Sequence, residues 1–333
     1  MTVRFGVLGA GRIGRVHANA IATVPGATLV AVADPMAAAA EAIRAAHGCD
    51  IRTIEAIEAA KDVDAVVICT PTDTHADLIE RFVRAGKAVF CEKPVDLSLA
   101  RVADCIRTVA GVKGTLMVGF NRRFDPDFMA VKAAIDAGRV GKVEMVTITS
   151  RDPGPPSFDY IPRSGGIFRD MTIHDFDMAR WLLGEEVETV HAAASVLVDK
   201  TIGDLGDFDS ANVILRCASG RMAVITNSRR AAYGYDQRIE VLGSEGMVAA
   251  KNIAEANIET ADKAGFHTPP LLNFFMSRYT AAYANEIAAF VAAVGDGAAT
   301  PTTGHDGLMA LALAEAALLS VKDGRSVKVS EVL

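Results

Sequence analysis

The segment that decides the fold is residues 3–14, VRFGVLGAGRIG. Its first half, Val3 to Leu8, is an apolar run too short for a helix, and it predicts a buried strand. The run leads directly into GAGRIG at 9–14, the spacing G-x-G-x-x-G at the start of a helix. Glycines at this place permit a tight turn, the close approach of a pyrophosphate, and close packing of helix on strand. The segment therefore predicts a dinucleotide site at a helix N-terminus, with a ligand-free glycine turn as the alternative.

An acidic residue follows at the distance that a dinucleotide site requires. Asp34 stands 20 residues after Gly14, at the end of the second apolar run, 29–33. A carboxylate there accepts hydrogen bonds from the adenosine ribose hydroxyls. Pro35 and Met36 offer no cation for a 2′-phosphate, and Asp34 would repel one. The sequence thus predicts NAD rather than NADP as the cofactor.

Short apolar runs alternate with helical segments through the first 120 residues. The runs are continuous and rich in Val or Ile, which is typical of parallel strands covered on both faces. They lie at 3–8, 29–33, 65–69, 88–91 and 116–118, with helical stretches at 37–46, 74–85 and 99–109. This pattern predicts an α/β, doubly wound Rossmann domain for NAD over residues 1–120.

The pattern changes after residue 141. Longer, alternating runs predict a mostly antiparallel, large open sheet with one solvated face. They lie at 143–150, 187–198, 210–216, 222–228 and 238–242, with helices at 127–137, 279–294 and 307–321. We therefore predict a C-terminal α+β domain over 121–333 for substrate binding and oligomerisation. Its last helices, at about 273–322, are expected to pack back on the first domain.

Composition narrows the class of function. At 333 residues, half of them hydrophobic, the chain can bury two ordinary cores. A net charge of -7 leaves no basic field for nucleic acid or an anionic membrane, so a small-molecule partner is expected. The five cysteines are widely spaced and predict buried thiols in a reducing compartment, with no disulfide and no metal site. With no signal peptide and no apolar run of about 18 residues, we expect a cytoplasmic protein.

Residues 165–184, GGIFRDMTIHDFDMARWLLG, interrupt the second domain and carry candidate chemistry. Helical spacing from about Asp170 places Asp170 and His174 one above the other, away from an apolar stripe. A carboxylate four residues from an imidazole is the geometry of a general base with its orienting partner. The alternative is that Asp170 caps the helix and His174 is a satisfied histidine between domains.

Three loops follow predicted strands of the first domain, at the edge where parallel sheets bind ligands. In CTPTDTH, 69–75, a threonine could equally cap the next helix. Lys93, in the sequence Glu-Lys-Pro, can hold a substrate hydroxyl and stabilise a developing alkoxide, with a surface lysine as the alternative. In GFNRRFDP, 119–126, an arginine would suit a polyol or an anionic group, unless both arginines are solvated.

These residues together resemble the glucose-fructose oxidoreductase / inositol dehydrogenase / rhizopine catabolism (Gfo/Idh/MocA) family. The similarity rests on the glycine turn with Asp34, on Glu92-Lys93-Pro94, and on Gly165-Gly166 with Asp170 and His174, and it runs from Val3 to about Val321. Longer strings such as GGIFRDMTIHDFDMARWLLGE and YGYDQRIEVLGSEG look most like the inositol 2-dehydrogenase branch.

The resemblance implies a dehydrogenase acting on a CH–OH group, oxidising myo-inositol at its axial hydroxyl to the 2-ketone with NAD. It implies a homo-oligomer, often a tetramer. The catalytic set carries over to Lys93, Asp170 and His174. Substrate contacts are expected at Lys93, Arg122, Asp152, Asp170, His174 and Tyr233. Cofactor contacts are expected at Gly9, Gly11, Arg12, Ile13, Gly14, Asp34, Thr70, Pro71, Thr72, His75, Glu92, Lys93 and Asn121.

Other functions stay open at the level of the sequence. Within the family, another cyclic polyol such as scyllo- or chiro-inositol, or an aldose, could be the substrate. An NAD-dependent glycosidase would oxidise its substrate transiently and release no net NADH. A sensor that binds NAD without turnover would need none of Lys93, Asp170 and His174, all of which are present.

Overall fold

The structure is a computed structural model that describes residues 2–333. The chain forms two compact units. The first runs to Asp125 and includes Thr280–Leu311, and the second comprises Pro126–Tyr279 and Ala312–Leu333. The domain limits predicted from the sequence, 1–120 and 121–333, are drawn differently, because they keep every residue after 120 together.

Six strands of the first unit form one sheet. They are β1 (Val3–Leu8), β2 (Ala27–Ala33), β3 (Asp50–Ile51), β4 (Ala65–Ile68), β5 (Ala88–Glu92) and β6 (Leu116–Gly119). Their order is β3-β2-β1-β4-β5-β6, and every pair is parallel. This is the strand order of a dinucleotide-binding sheet. Every residue of β4 and β6 is buried, as in parallel strands covered on both faces. The predicted doubly wound sheet is confirmed.

Helices connect these strands in chain order. They are α1 (Arg12–Thr23), α2 (Ala37–His47), α3 (Ile54–Ala59), α4 (His75–Arg84) and α5 (Leu99–Gly111), with a 3₁₀ turn at Thr72–Thr74. The sequence predicts neither β3 nor α3. Two strand residues and six helical residues are too few to show a period, so no pattern marks them.

The second unit begins with helices and one long strand. In chain order its elements are α6 (Pro126–Asp136), β7 (Val143–Arg151), α7 (Ile161–Ser164), α8 (Gly166–Asp170), α9 (Thr172–Leu183), β8 (Val187–Ser195) and α10 (Lys200–Asp204). Then follow β9 (Ser210–Cys217), β10 (Met222–Ser228), β11 (Asp236–Gly243), β12 (Gly246–Ala250), β13 (Thr260–Asp262), β14 (Gly265–His267) and α11 (Phe275–Arg278).

A seven-stranded sheet dominates this unit, with the order β12-β11-β7-β10-β9-β8 and, at the edge, β15 (Val327–Lys328). Its pairs are antiparallel except β7 with β10, which are parallel, so the mostly antiparallel sheet is confirmed. The strand predicted at 187–198 is too long, since β8 ends at Ser195. There the Asp209 carboxylate accepts the backbone N–H groups of Leu197, Val198 and Asp199, which draws the chain out of the ladder.

The tail of the chain contains two long helices, α12 (Thr280–Asp296) and α13 (Gly304–Asp323). In the first unit, Phe290 of α12 packs on Phe5 and Phe90, with ring centroids 6.1 and 5.8 Å apart. One described helix, α13, is long and apolar enough to cross a membrane by length and composition. Of its 18-residue window 56% is buried within the protein, and the core helix of a soluble protein meets the same criterion.

Candidate active site

The glycine turn after β1 has the shape of a pyrophosphate cradle. Gly9 has φ +94°, and a Cβ on Gly14 would lie 1.9 Å from the Gly9 carbonyl oxygen, so α1 packs against the turn as only glycine allows. Gly11 is the N-cap of α1, with no side-chain cap on the helix N–H groups. A Cβ on Gly11 would meet nothing within 4 Å. A helix N-terminus without a side-chain cap, beside open space, fits an anionic phosphate. Arg12 and Ile13 begin α1 there, and their cofactor contacts stay predictions.

Asp34, just after β2, belongs to the same cradle. One carboxylate oxygen accepts the Ala10 N–H at 2.6 Å, and the other accepts the Met36 N–H at 2.7 Å. The carboxylate therefore ties the strand end to the glycine turn. It also leaves a negative group where a 2′-phosphate would lie, which agrees with the predicted preference for NAD.

The loop after β4 is held by His75. One ring nitrogen bonds the Pro94 carbonyl oxygen and the other bonds the Thr70 carbonyl oxygen, each at 2.8 Å. The Thr70 and Thr74 hydroxyls bond each other at 2.6 Å, and neither Thr72 nor Thr74 caps α4 through its side chain. The imidazole of His75 thus joins two loops, while cofactor contacts at Thr70, Pro71, Thr72 and His75 stay predictions.

Lys93 follows directly after β5, half-buried. The preceding Glu92 is buried, and its Oε1 lies 2.6 Å from Nε2 of His17 on α1. This bond uses one carboxylate oxygen of Glu92 inside the protein. The strand end that carries Lys93 is therefore tied to the helix that begins at the glycine turn.

The three polar residues after β6 lie in a buried 3₁₀ turn, Asn121–Phe124. Arg123 donates to the Asp306 carboxylate at 2.8 Å and to the Pro301 carbonyl at 3.4 Å. Neither arginine is solvated, since Arg122 and Arg123 are 5% and 9% exposed. Arg123 is thus committed to an ion pair within the first unit, and Arg122 remains the predicted substrate contact, with Asn121 beside it as a predicted cofactor contact.

In the second unit, the predicted helix from near Asp170 is wrong in one respect. Asp170 ends α8, whereas His174 lies in the first turn of α9, and Met171 separates the two helices. Met171 has φ −97° and ψ −59°, which departs from regular helix values where one helix ends and the next begins. The N-cap of α9 is Met171, so the alternative in which Asp170 caps this helix is wrong as well. The proposed pairing of Asp170 with His174 stays a prediction.

Asp170 is surrounded by polar groups from distant segments. The Tyr160 hydroxyl donates to Asp170 Oδ1 at 2.9 Å, and Arg229 approaches Asp170 Oδ2 with both terminal nitrogens at 3.4 and 3.5 Å. Arg229 is 1% exposed, and it also lies 3.6 Å from Asp207 Oδ2. Burial raises the pKa of Asp207, against hydrogen bonds from the Ile167 and Phe208 N–H groups and the charge of Arg229. A buried cation thus balances two carboxylates beside the predicted base.

The first turn of α9 is anchored to the sheet by a buried amide. Asn227 of β10 donates to the Asp175 carboxylate at 2.8 Å and accepts the Thr172 hydroxyl at 2.7 Å. All three side chains are buried, so these bonds are shielded from water. The bonds flank His174 on both sides in sequence and fix the backbone that carries its imidazole.

Asp152 and Tyr233 lie beyond the ends of the sheet strands. The Asp152 backbone bonds Ser228 and Ala231. The Tyr233 hydroxyl donates to the Asp236 carboxylate at 2.6 Å and lies 2.9 Å from Arg151, on the face of the sheet opposite to Asn227. That face holds an open cavity of about 480 Å³ lined in part by Tyr233 and Arg151. Within this chain the Tyr233 hydroxyl bonds groups on the open face, and substrate contacts at Asp152 and Tyr233 stay predictions.

Among the buried ionisable groups that sequence reasoning missed are His17, Glu286 and Arg229. A signal existed for Arg229, because strand alternation through 222–228 continues inward at 229 and a charged residue on an inward face requires a partner. The pairing of His17 with Glu92 spans 75 residues, and no local pattern predicts it.

Comparison with known proteins agrees with this geometry. Residues 3–120 match the model "Oxidoreductase family, NAD-binding Rossmann fold", and residues 128–249 match the "GFO/IDH/MocA C-terminal domain". An inositol 2-dehydrogenase of Rhizobium meliloti (strain 1021) is 66% identical, covering 99% of this chain and 100% of the relative. A myo-inositol 2-dehydrogenase of Thermotoga maritima is 46% identical over 99% of this chain and 100% of the relative.

A solved structure adds a cofactor-bound relative. The scyllo-inositol dehydrogenase of Lactobacillus casei, with bound NAD(H) and scyllo-inositol, superposes with a TM-score of 0.93 at 28% identity. The match covers 99% of this chain and 100% of that chain.

Proposed function

The chain belongs to the GFO/IDH/MocA family of NAD-binding oxidoreductases, and from that premise we propose that it oxidises myo-inositol at the 2-hydroxyl group to the 2-ketone with NAD. Membership of this family and NAD as the cofactor confirm the predictions made from the sequence. The enzyme is therefore a dehydrogenase acting on a CH–OH group.

The observation that best supports this substrate is the 66% identity to a relative named inositol 2-dehydrogenase, over essentially the full length of both chains. The match extends over the segments that contain Lys93, Asp170 and His174, because it covers 99% of this chain. The contacts of Asp170 with Tyr160 and Arg229 add physical support, because they fix in place the carboxyl group that the proposal assigns as the orienting partner of the base.

In the proposed mechanism, His174 takes the proton of the substrate hydroxyl, since an imidazole exchanges protons near neutral pH. Asp170, held by Tyr160 and Arg229, orients the ring and stabilises the imidazolium. Lys93 donates to the substrate oxygen and stabilises its developing negative charge. The nicotinamide, when bound, supplies the hydride acceptor. Arg122, Asp152 and Tyr233 are the proposed further substrate contacts.

A neighbouring substrate is the second candidate. The structurally similar protein of Lactobacillus casei is named for scyllo-inositol, which differs from myo-inositol in the configuration at one carbon. A stereoisomer panel separates the two, because the base must meet an axial hydroxyl in one case and an equatorial one in the other.

The test is NADH formation, followed by absorbance, across myo-, scyllo- and chiro-inositol and common aldoses, with NAD⁺ and NADP⁺ in parallel. We expect the highest kcat/KM with myo-inositol and NAD⁺. Preference for scyllo-inositol would favour the second candidate, and no NADH with any polyol would contradict the proposed function.

The open sheet face supports the proposed homo-oligomer, a tetramer by family resemblance. Met247, Leu242, Met145 and Met222 pair in register across four strands, and each side chain is 36–53% exposed. A row of exposed apolar side chains on a sheet marks an interaction surface. Light scattering after gel filtration should give the mass of four chains, and a monomer mass would contradict this.

A cytoplasmic location is also part of the proposal. All five cysteines are free and buried, which suits a compartment that keeps thiols reduced. Fractionation of the native host tests the location, and recovery outside the cytoplasm would contradict it.

A further inference from the structure

Three titratable side chains from different elements meet in the core of the first unit. They are His17 of α1, Glu92 at the end of β5 and Glu286 of α12, which are 0%, 8% and 0% exposed. Within the described residues 2–333, this is the set of His, Cys, Asp and Glu side chains that lies close enough to hold a metal ion. Buried ionisable groups are costly unless paired, so the cluster requires an explanation.

Only one side of His17 has a hydrogen bond. Its Nε2 lies 2.6 Å from Glu92 Oε1, whereas its Nδ1 lies 4.0 Å from Glu286 Oε1. In the described part of the chain, His17 Nδ1 and both carboxyl oxygens of Glu286 are buried without a hydrogen-bond partner. The rings of Phe90 and Tyr283 pack edge-on against His17, with centroids 5.0 and 5.5 Å away. The imidazole therefore packs between two aromatic rings, and Glu286 lies 4.0 Å from its unbonded nitrogen.

The charge of Glu286 follows from these surroundings. Burial raises the pKa of Glu286 well above its usual value, and the negative charge of Glu92 raises it further. The Cys69 thiol, also fully buried, faces the same cluster and offers no cation. A neutral Glu286 adds no second negative charge beside Glu92, and at 4.0 Å from His17 Nδ1 it makes no hydrogen bond to the ring.

A metal ion fits this cluster poorly. An ion about 2.1 Å from each of two ligand atoms keeps those atoms roughly 3 Å or more apart. The 2.6 Å between His17 Nε2 and Glu92 Oε1 leaves room for a proton alone.

The cluster of His17, Glu92 and Glu286 lies next to the strand end that carries Lys93, since Glu92 is the last residue of β5. A Cβ on Gly119 would lie 3.3 Å from Glu92 Oε2, so the absence of a side chain there leaves space for the Glu92 carboxyl group. Glu92 is thus fixed on one side by His17 and on the other by the backbone of β6, immediately before Lys93.

We propose that His17 is a positioning residue for Lys93: His17 Nε2 bonds the Glu92 carboxyl group, Glu92 holds the Lys93 strand end against α1, and a neutral Glu286 lies 4.0 Å from His17 Nδ1 without adding a second negative charge to the pocket. No proton leaves the cluster. The inference rests on the proposed function, because it takes Lys93 as a substrate contact, and it explains why a buried acid lies on a helix that returns from the end of the chain.

The first test compares variants of His17. His17→Met removes both nitrogens and should lower kcat about 10- to 100-fold through misplacement of Lys93. We expect the KM for myo-inositol and the NAD⁺ affinity, measured by calorimetry, to stay within about threefold. His17→Gln keeps a donor that reaches Glu92 and should recover most of kcat. Equal losses in both variants, or a loss that falls on NAD⁺ affinity alone, would overturn the positioning role.

The second test uses Glu286→Gln, which keeps a neutral polar side chain of similar size against His17, so its kcat should lie within about threefold of wild type. A loss as large as that with His17→Met would contradict a neutral Glu286.

The proton itself is detected without any substrate. Infrared spectra in D₂O at neutral pH should contain the C=O band of a protonated carboxyl group in the wild-type protein. Labelling with [¹³C]glutamate should shift the band, which excludes Asp207, the other acid whose pKa burial raises. No glutamate band, or about one metal ion per chain in the purified protein, would contradict a neutral Glu286 in this cluster. Should no polyol be oxidised, the proposed function and the role for Lys93 fail together, while this band still decides whether Glu286 is neutral.

Discussion

The two units build their candidate sites in different ways. In the first, the cofactor cradle consists mainly of backbone: a glycine turn, a helix N-terminus and N–H groups held by Asp34. In the second, Asp170 is held by side chains from three other segments, Tyr160, Arg229 and, through Arg229, Asp207. A backbone-made site is a property of a short stretch of sequence, whereas a side-chain-made site exists only once distant segments have folded together.

The largest effect should come from the proposed base in the second unit. His174→Ala should lower kcat about 10²- to 10⁴-fold, the usual contribution of a general base, with little change in NAD⁺ affinity. The matched control is His191→Ala, since His191 is exposed on β8. Steady-state kinetics and calorimetric titration measure both quantities. Unchanged turnover in His174→Ala would exclude this residue as the base. The proposed catalytic role of the second unit would then have no support.

Arg229→Met removes one contact between distant segments of the second unit. Asp170 and Asp207 then lose their buried counter-charge, which should lower the free energy of unfolding by about 3 kcal/mol and lower kcat as well. Arg230→Met, at the exposed neighbour, should change stability by less than about 0.5 kcal/mol. Urea denaturation compares the two. Equal free energies of unfolding in the two variants would contradict a stabilising role for the buried guanidinium of Arg229.

Asp306 tests a side-chain contact inside the first unit. Burial opposes its ionisation, but the charge of Arg123 and bonds from Arg123 and Thr303 prevail and lower the pKa of Asp306 to about 2. A lowered pKa contributes stability that is present above the unfolded pKa of about 3.9 and is lost as the pH falls toward 2. Asp306→Asn should therefore cost about 2 kcal/mol at pH 7, and the difference should shrink below about pH 4. A difference that stays constant down to pH 2 would contradict the ion pair.

The smallest expected effect concerns the backbone-made cradle. A Cβ at Gly11 meets nothing in the protein, so Gly11→Ala should fold with an unchanged melting temperature. The added methyl group should nevertheless weaken NAD⁺ binding about tenfold, because it occupies the space proposed for the pyrophosphate. Gly111→Ala, where a Cβ also meets nothing, is the control. Unchanged NAD⁺ affinity in Gly11→Ala would contradict the proposal that the pyrophosphate lies beside Gly11.

The same contrast explains what the sequence could predict. The turn at 9–14, Asp34 and the strand runs carry local signals, and the sheet that they predict is confirmed. The break between α8 and α9 at Met171 could not be predicted, because the spacing of Asp170 and His174 is compatible with one helix or with two. The bonds from Tyr160 and Arg229 to Asp170, and from His17 to Glu92, join residues whose separation in sequence has no period, so only the fold brings them together.

Isotopic labelling tests directly whether the hydrogen at C2 of myo-inositol is transferred to NAD⁺. The protein is incubated with NAD⁺ and myo-inositol that carries deuterium at C2, and the reduced cofactor and the sugar product are analysed by mass spectrometry. The proposed function predicts one deuterium in each molecule of reduced cofactor and a product that has lost it, in equal amounts. Deuterium retained in the sugar product, or reduced cofactor without deuterium, would contradict hydride transfer from C2.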